Sequence, residues 1–174
     1  TIGLMLQLAR NIGISNSDLR EGAWKRHFGY RLSEMTIGII GSGRIGSRVV
    51  RRLAAFGSPR ILINSLDRDD SISPNLKLEW VGKEYLYKNS DLISLHVPLT
   101  HETNNMITMN EFEMMKSNCM IINTARGGII DEKDYTVREI ISNISVIVGI
   151  VITLVKKYKK LTNVERKNIT IRVI

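Results

Sequence analysis

The sequence predicts an α/β protein, a doubly wound parallel sheet with helices on both faces. Three observations predict it. Short branched apolar runs recur at residues 35–40, 60–64, 91–97, 119–123 and 144–152, as strands buried on both faces do. Segments with helical periodicity lie between several of them, and alternating strands and helices imply a parallel sheet covered on both sides. The first run ends in a glycine-rich turn that opens a helix, "GSGRIG".

The elements follow in order. "TIGLMLQLARNI" carries Ile2, Met5, Leu6, Leu8, Ala9 and Ile12 at helical spacing and reads as one amphipathic helix. "SNSDLREGAWKRHFGYRLSEM" is a mixed, polar connection with short helical pieces, in which Trp24 and Phe28 are expected to anchor packing. "MTIGII" is the first strand. The next helix places Ile45, Val49, Leu53 and Phe56 on one face, with Gly57 as its stop. "RILIN" and "DLISLHV" are the second and third strands. "TMNEFEMMKSN" opens with Thr108 and Glu111 at capping-box spacing and is a short helix. "CMIIN" is the fourth strand, "DEKDYTVREIISN" (131–143) a helix, and "ISVIVGIVI" (144–152) a fifth strand. The expected division is residues 1–34 as the first helix and connection of a nucleotide-binding domain, 35–152 as its sheet, and 153–174 as a basic divergent tail.

A chain of 174 residues suits one domain and buries roughly 70% of its unfolded surface. Its single cysteine, Cys119, excludes an internal disulfide framework and fits a reducing compartment such as the cytoplasm. The net charge of +8 invites a nucleic-acid reading, but from residue 151 onward seven basic side chains face one acid. The tail therefore holds most of the excess and the body is nearly neutral, so no nucleic-acid partner is expected. Residues 140–155 carry no charge and lysines follow. That run is short of the ~20 residues a spanning helix needs, and its Val/Ile density favours a strand, so no membrane partner is expected. No metal site is expected either.

Gly41-Ser42-Gly43-Arg44-Ile45-Gly46 is a G-x-G-x-x-G between a strand and a helix, the fingerprint of a Rossmann-type dinucleotide site. The first glycine makes a tight turn, the second admits a pyrophosphate to the backbone, and the third lets helix and strand pack closely. The helix start then offers free N–H groups and a partial positive charge to the phosphates. The fingerprint expects an acid about 20 residues on to hold the ribose 2′-OH. Asn64-Ser65 stands there instead. Ser65 can hydrogen-bond a ribose but cannot repel a 2′-phosphate. Arg68 could pair with such a phosphate, whereas Asp67, Asp69 and Asp70 oppose it. NAD versus NADP is left open, with the balance toward NAD.

"GIIGSGRIGSRVVRRLAAFG", "SDLISLHVPLTHETNNMI" and "MKSNCMIINTARGGIIDE" together resemble the D-isomer-specific 2-hydroxyacid dehydrogenases, nearest the phosphoglycerate-dehydrogenase-like branch. "LMLQLARNI" and "LREGAWKR" extend the resemblance over residues 1 to about 150. It implies hydride transfer between a nicotinamide and a small 2-hydroxy or 2-keto acid. It implies that Arg44 and Ile45 meet the pyrophosphate with Gly41, Gly43 and Gly46, and that Ser65 takes the ribose position. It implies that His96, Val97 and Pro98 line the cofactor loop. Thr124, Ala125 and Arg126 lie beside the nicotinamide, with Arg126 as the catalytic arginine that holds the substrate carboxylate. The chemistry suits arginine, because a guanidinium fork grips a carboxylate at two points and polarises the neighbouring carbonyl. The resemblance further implies a homodimer.

The pattern departs from the family near Gly149. Val151 stands where the family has an Asp that meets the nicotinamide carboxamide, and no Glu follows until Glu165. The family's acid–base histidine comes later in its chains, so His96 does not take that role. The expectation is a fragment: the dinucleotide-binding half of a dehydrogenase, which binds cofactor without completing turnover alone. The alternative is a non-enzymatic dinucleotide-sensing or interaction module of the same family.

Overall fold

The structure is a computed structural model and describes residues 1–72, 76–131 and the backbone of 145–147. Six parallel strands form one sheet in the order β3-β2-β1-β4-β5-β6. They are β1 (Thr36–Ile40), β2 (Arg60–Asn64), β3 (Leu78–Trp80), β4 (Leu92–Leu95), β5 (Met120–Asn123) and β6 (Ser145–Ile147). This is the doubly wound order, which reverses direction between β1 and β4. The predicted helix at 131–143, the rest of the predicted last strand and the basic tail lie outside the described residues.

Alternation along the strands builds two cores. Ile37 and Ile39 of β1, Ile61 and Ile63 of β2, and Ile122 of β5 face α1 (Ile2–Ala9) and α3 (Arg44–Leu53), meeting Met5, Ala9, Val49, Val50 and Leu53. Ile40, Leu62, Ile93, Leu95 and Ile121 face the other side and meet Leu86 and Tyr87 of α4 (Lys83–Asn89) and Phe112 of α5 (Met109–Met114). Each fully buried side chain of this kind contributes roughly 1.5–3 kcal/mol. Among the described strands, β1, β2, β4 and β5 are therefore apolar along nearly their whole length.

Two of the expected helix signals are present, at Thr108 and at Gly57. Thr108 and Glu111 close a capping box on α5, the backbone N–H of Thr108 donating to the Glu111 carboxylate at 2.8 Å. A short 3₁₀ turn follows α3 and ends on Gly57, whose φ of 84° only glycine adopts freely.

Three expectations need correction. The first helix stops at Ala9, and a second, α2 (Ile12–Arg20), follows. Asn11 makes the break with a left-handed φ of 53°, a conformation Asn tolerates better than most residues. Ile12 consequently belongs to α2 and is 51% exposed. Trp24 and Phe28 do not anchor packing, being 90% and 81% exposed. Their segment lies on the surface, held by polar ties that leave the rings outside. Tyr30 N–H donates to the Ala9 carbonyl (2.7 Å), Asn11 Nδ2 donates to the Phe28 carbonyl (2.8 Å), and His27 Nε2 meets buried Asp18 (2.6 Å). Finally, β3 and α4 were not expected. β3 has three half-buried residues, and α4 buries only Leu86 and Tyr87, too little pattern to read.

Candidate functional site

The first turn of α3 is pressed onto the top of β1. Gly41 has a φ of 91°, and a Cβ there would fall 2.8 Å from the His96 carbonyl oxygen. A Cβ on Gly46 would collide with the Gly41 carbonyl. A Cβ on Gly43, between them, would meet nothing within 4 Å. Two of the three glycines are thus required by packing, whereas Gly43 borders open space. No side chain caps α3 at Gly43, so the N–H groups of its first turn face that space with the helix dipole behind them.

The other predicted residues gather around this turn because four strands end beside it. After β2, the Ser65 hydroxyl accepts a hydrogen bond from Ser42 N–H (3.2 Å), and Ser42 Oγ donates to the Asp67 carbonyl (3.4 Å). After β4, His96 N–H donates to the Ile40 carbonyl (2.8 Å), and Val97 reaches the Gly41 position. Pro98 continues that loop at the surface. After β5 come Thr124, Ala125 and Arg126, of which Thr124 and Arg126 are exposed. Arg44 is exposed and Ile45 is 57% exposed at the mouth. All of the predicted residues stand at the carboxyl ends of β1, β2, β4 and β5, at the switch in strand order where open α/β sheets bind ligands.

His96 is half-buried, and its Nε2 lies 3.0 Å from Oγ of the fully buried Ser94. Burial pushes the imidazole down to about 4, so at neutral pH it is an uncharged ring. Arg126 donates from Nη1 to the Ala125 carbonyl (2.8 Å) and has no carboxylate partner among the described residues. Its remaining N–H groups are available to an anion.

Asn123 was not singled out from the sequence and organises this loop. Its Oδ1 accepts from Ala125 N–H (3.0 Å) and its Nδ2 donates to the Arg126 carbonyl (2.7 Å). The bond to the residue two positions on is an Asx turn, and the Asn-Thr-Ala order was the readable signal. Further along, Asn105 N–H donates to the Gly128 carbonyl (2.7 Å) and stitches the loop to its neighbour.

Arg68 is the side chain whose type and position suit a 2′-phosphate. Its Nε instead pairs with both oxygens of Asp70 (3.1 and 3.0 Å), and its guanidinium lies 5.9 Å from the centre of the Trp80 ring.

Sheet order, switch point and glycine cradle define a dinucleotide-binding domain, and the residues present fit a nicotinamide dinucleotide. Residues 2–138 match the NAD-binding domain of the D-isomer-specific 2-hydroxyacid dehydrogenases. The chain belongs to that family. It is 44% identical over 141 residues to a D-3-phosphoglycerate dehydrogenase of Methanocaldococcus jannaschii, covering 76% of this chain and 26% of that enzyme. It is 40% identical over 137 residues to a glyoxylate reductase of Thermococcus litoralis, covering 74% and 41%. A D-lactate dehydrogenase from Aquifex aeolicus, solved with NAD and lactic acid, superposes with a TM-score of 0.74 at 28% identity, covering 96% of this chain and 53% of that one. The chain thus spans well under two thirds of the length of these relatives. No described helix is long and apolar enough to cross a membrane.

Two predictions arise. Gly43→Ala will leave the urea midpoint unchanged and weaken NADH binding about tenfold or more, whereas Gly46→Ala will cost roughly 1–3 kcal/mol of stability by overpacking. Equilibrium unfolding and NADH titration of both variants separate the effects. The second concerns His96. Its folded value of about 4 lies below the ordinary ~6.5, so between them the unfolded chain binds the extra proton. Stability should fall as pH drops from about 6.5 toward 4, by at most ~1.4 kcal/mol per pH unit. His96→Gln should flatten that slope in urea titrations across the range.

Proposed function

We propose that this chain is the cofactor-holding half of an oxidoreductase that moves a hydride between nicotinamide and a small 2-hydroxy or 2-keto acid. The observation that carries this is the convergence of the glycine turn, the His96–Pro98 loop and the Thr124–Arg126 loop at the switch point. When bound, the nicotinamide supplies the hydride acceptor or donor. The first turn of α3 holds the pyrophosphate through its N–H groups and Arg44, with Ile45 covering it. Ser65 takes a ribose hydroxyl. Val97 and Pro98 wall the site, and neutral His96 sits behind them without adding charge. Thr124 and Ala125 border the nicotinamide end. Arg126, with free N–H groups on a loop shaped by Asn123, binds the substrate carboxylate and polarises its neighbouring carbonyl. Hydrogen bonds to charged groups contribute roughly 1.5–3 kcal/mol each. Cys119 is a single, buried cysteine with no disulfide partner in this chain, which supports a cytoplasmic setting.

The same site favours NAD over NADP. Arg68 Nε pairs with Asp70 and its guanidinium lies by Trp80, and the acids around it repel a 2′-phosphate. Titration with NADH and NADPH, followed by quenching of Trp24 and Trp80 emission, should give NADH binding at least about tenfold tighter. Equal affinities would return Arg68 to the phosphate, and binding of neither would end the cofactor reading.

We also propose that the chain pairs with a second copy. Trp24, Phe28, Leu19 and Ile12 are each more than half exposed, a concentration of apolar side chains that pairing would cover. Sedimentation velocity should show a dimer, and Trp24→Ser with Phe28→Ser should shift it toward monomer. An unchanged monomer in both samples would refute pairing.

A further inference from the structure

The exposed side of α3 has a charge pattern that pyrophosphate binding does not explain. Arg44, Arg48, Arg51 and Arg52 are all exposed, and the helix contains no acid. Its opposite side is fixed by buried Gly46, Val49, Val50 and Leu53. Arg44, Arg48 and Arg52 recur every four residues, so they form a line with steps of about 6 Å and a length of about 12 Å. Like charges four residues apart repel on a helix. Arg51 and Arg52 sit in the last turn, where the dipole favours cations, but Arg44 sits in the first turn, where it favours anions. None of the four makes an ion pair among the described residues. Arg51 Nε and Arg52 Nη1 donate only to the carbonyls of Ile72 (2.9 Å) and Arg48 (3.1 Å). Asp69, the acid that feels Arg51, is already engaged by Ser71 through its hydroxyl (2.6 Å) and its N–H (2.9 Å).

We propose that this arginine line is an electrostatic guide for the anionic dinucleotide, drawing its phosphates along Arg52 and Arg48 to Arg44 and the glycine turn. The inference rests on the cofactor reading above. The pyrophosphate carries the charge the line attracts, and the line ends where the pyrophosphate is held. At 0.1 M salt the Debye length is about 10 Å, close to the length of the line, so an anion anywhere along it feels the next arginine. Steering of this kind raises association rates and leaves dissociation to the final contacts. Arg48 and Arg52 therefore act on arrival and not on the bound state.

The test is stopped-flow NADH binding to the full chain, comparing wild type with Arg48→Gln/Arg52→Gln. Gln is a good helix former, so α3 is preserved. At about 10 mM salt, where the Debye length is ~30 Å, the association rate constant should fall about three- to tenfold with dissociation unchanged. At about 1 M salt, where it is ~3 Å, the two proteins should converge. Arg48→Lys/Arg52→Lys keeps the charge and should restore the wild-type rate. Equal association rates at low salt, a change in dissociation instead, or a deficit that survives 1 M salt or the lysine pair would overturn the guide while leaving cofactor binding intact. Absence of NADH binding by wild type would overturn the cofactor reading and the guide with it.

Discussion

The site depends on one close contact, the first turn of α3 against the backbone at the top of β1. Gly46 lies so near the Gly41 carbonyl that no side chain fits between them, and Gly41 is closed on its other side by the His96 backbone. β1 hands the chain to α3 on one face, while β4 hands it to α5 on the other. The two strands are hydrogen-bonded neighbours, so the loops leaving them must diverge, and the gap between them is the crevice. A larger residue at position 46 would lift the helix start away from β1. The free N–H groups would move with it, and the ligand would lose both its floor and its partial charge.

The loops around the crevice are held by short side-chain bonds more than by burial. Ser65 and Ser42 lock the β2 loop to the glycine turn, and Asn123 brackets the loop that carries Arg126. Such bonds fix backbone that would otherwise move, so less ordering remains for a ligand to impose. They also give Ser65 a purpose before any ligand arrives. Its oxygen already accepts from Ser42 N–H, and a ribose hydroxyl would add to that bond as a second partner of the same oxygen. A carboxylate at this position would accept the same N–H, so the substitution preserves the turn while removing a charge.

The sequence made the centre of the sheet legible because central parallel strands are apolar on both faces and cannot be mistaken for surface segments. The β2 boundaries matched residue for residue, and β1, β4 and β5 matched within two residues at either end. The glycine turn was legible for a related reason, since Gly41 and Gly46 answer steric demands and Gly43 leaves the space beside the helix start open. Elements decided by tertiary contact were not legible. β3 borrows its order from β2, and α4 is fixed by two buried side chains. Trp24 and Phe28 misled because large rings usually seek a core, whereas here the backbone ties of Tyr30, Asn11 and His27 set the path of the segment. Arg68 was legible only as an open alternative. Its type and position suited a phosphate, but Asp70 two residues away and Trp80 across the strand were nearer partners.

Charge around the crevice is divided by element. Asp67, Asp69 and Asp70 follow β2, at the end proposed to take the adenosine ribose, with Arg68 paired to Asp70 and Arg51 acting on Asp69. The arginines of α3 flank the pyrophosphate position with no acid in the helix, and Arg126 stands at the far end beyond β5. An anionic ligand therefore meets acids on one side of the switch point, and arginines at its centre and beyond β5. NAD carries its charge at the pyrophosphate in its middle, which suits a site positive at its centre. A further phosphate on the adenosine ribose would lie toward the acids and gain least from the arginines. On the proposed reading, the arrangement that attracts the dinucleotide would also select which dinucleotide, without a dedicated carboxylate at the ribose. On that reading Ser65 can stand in the acid's position without loss of a preference for NAD.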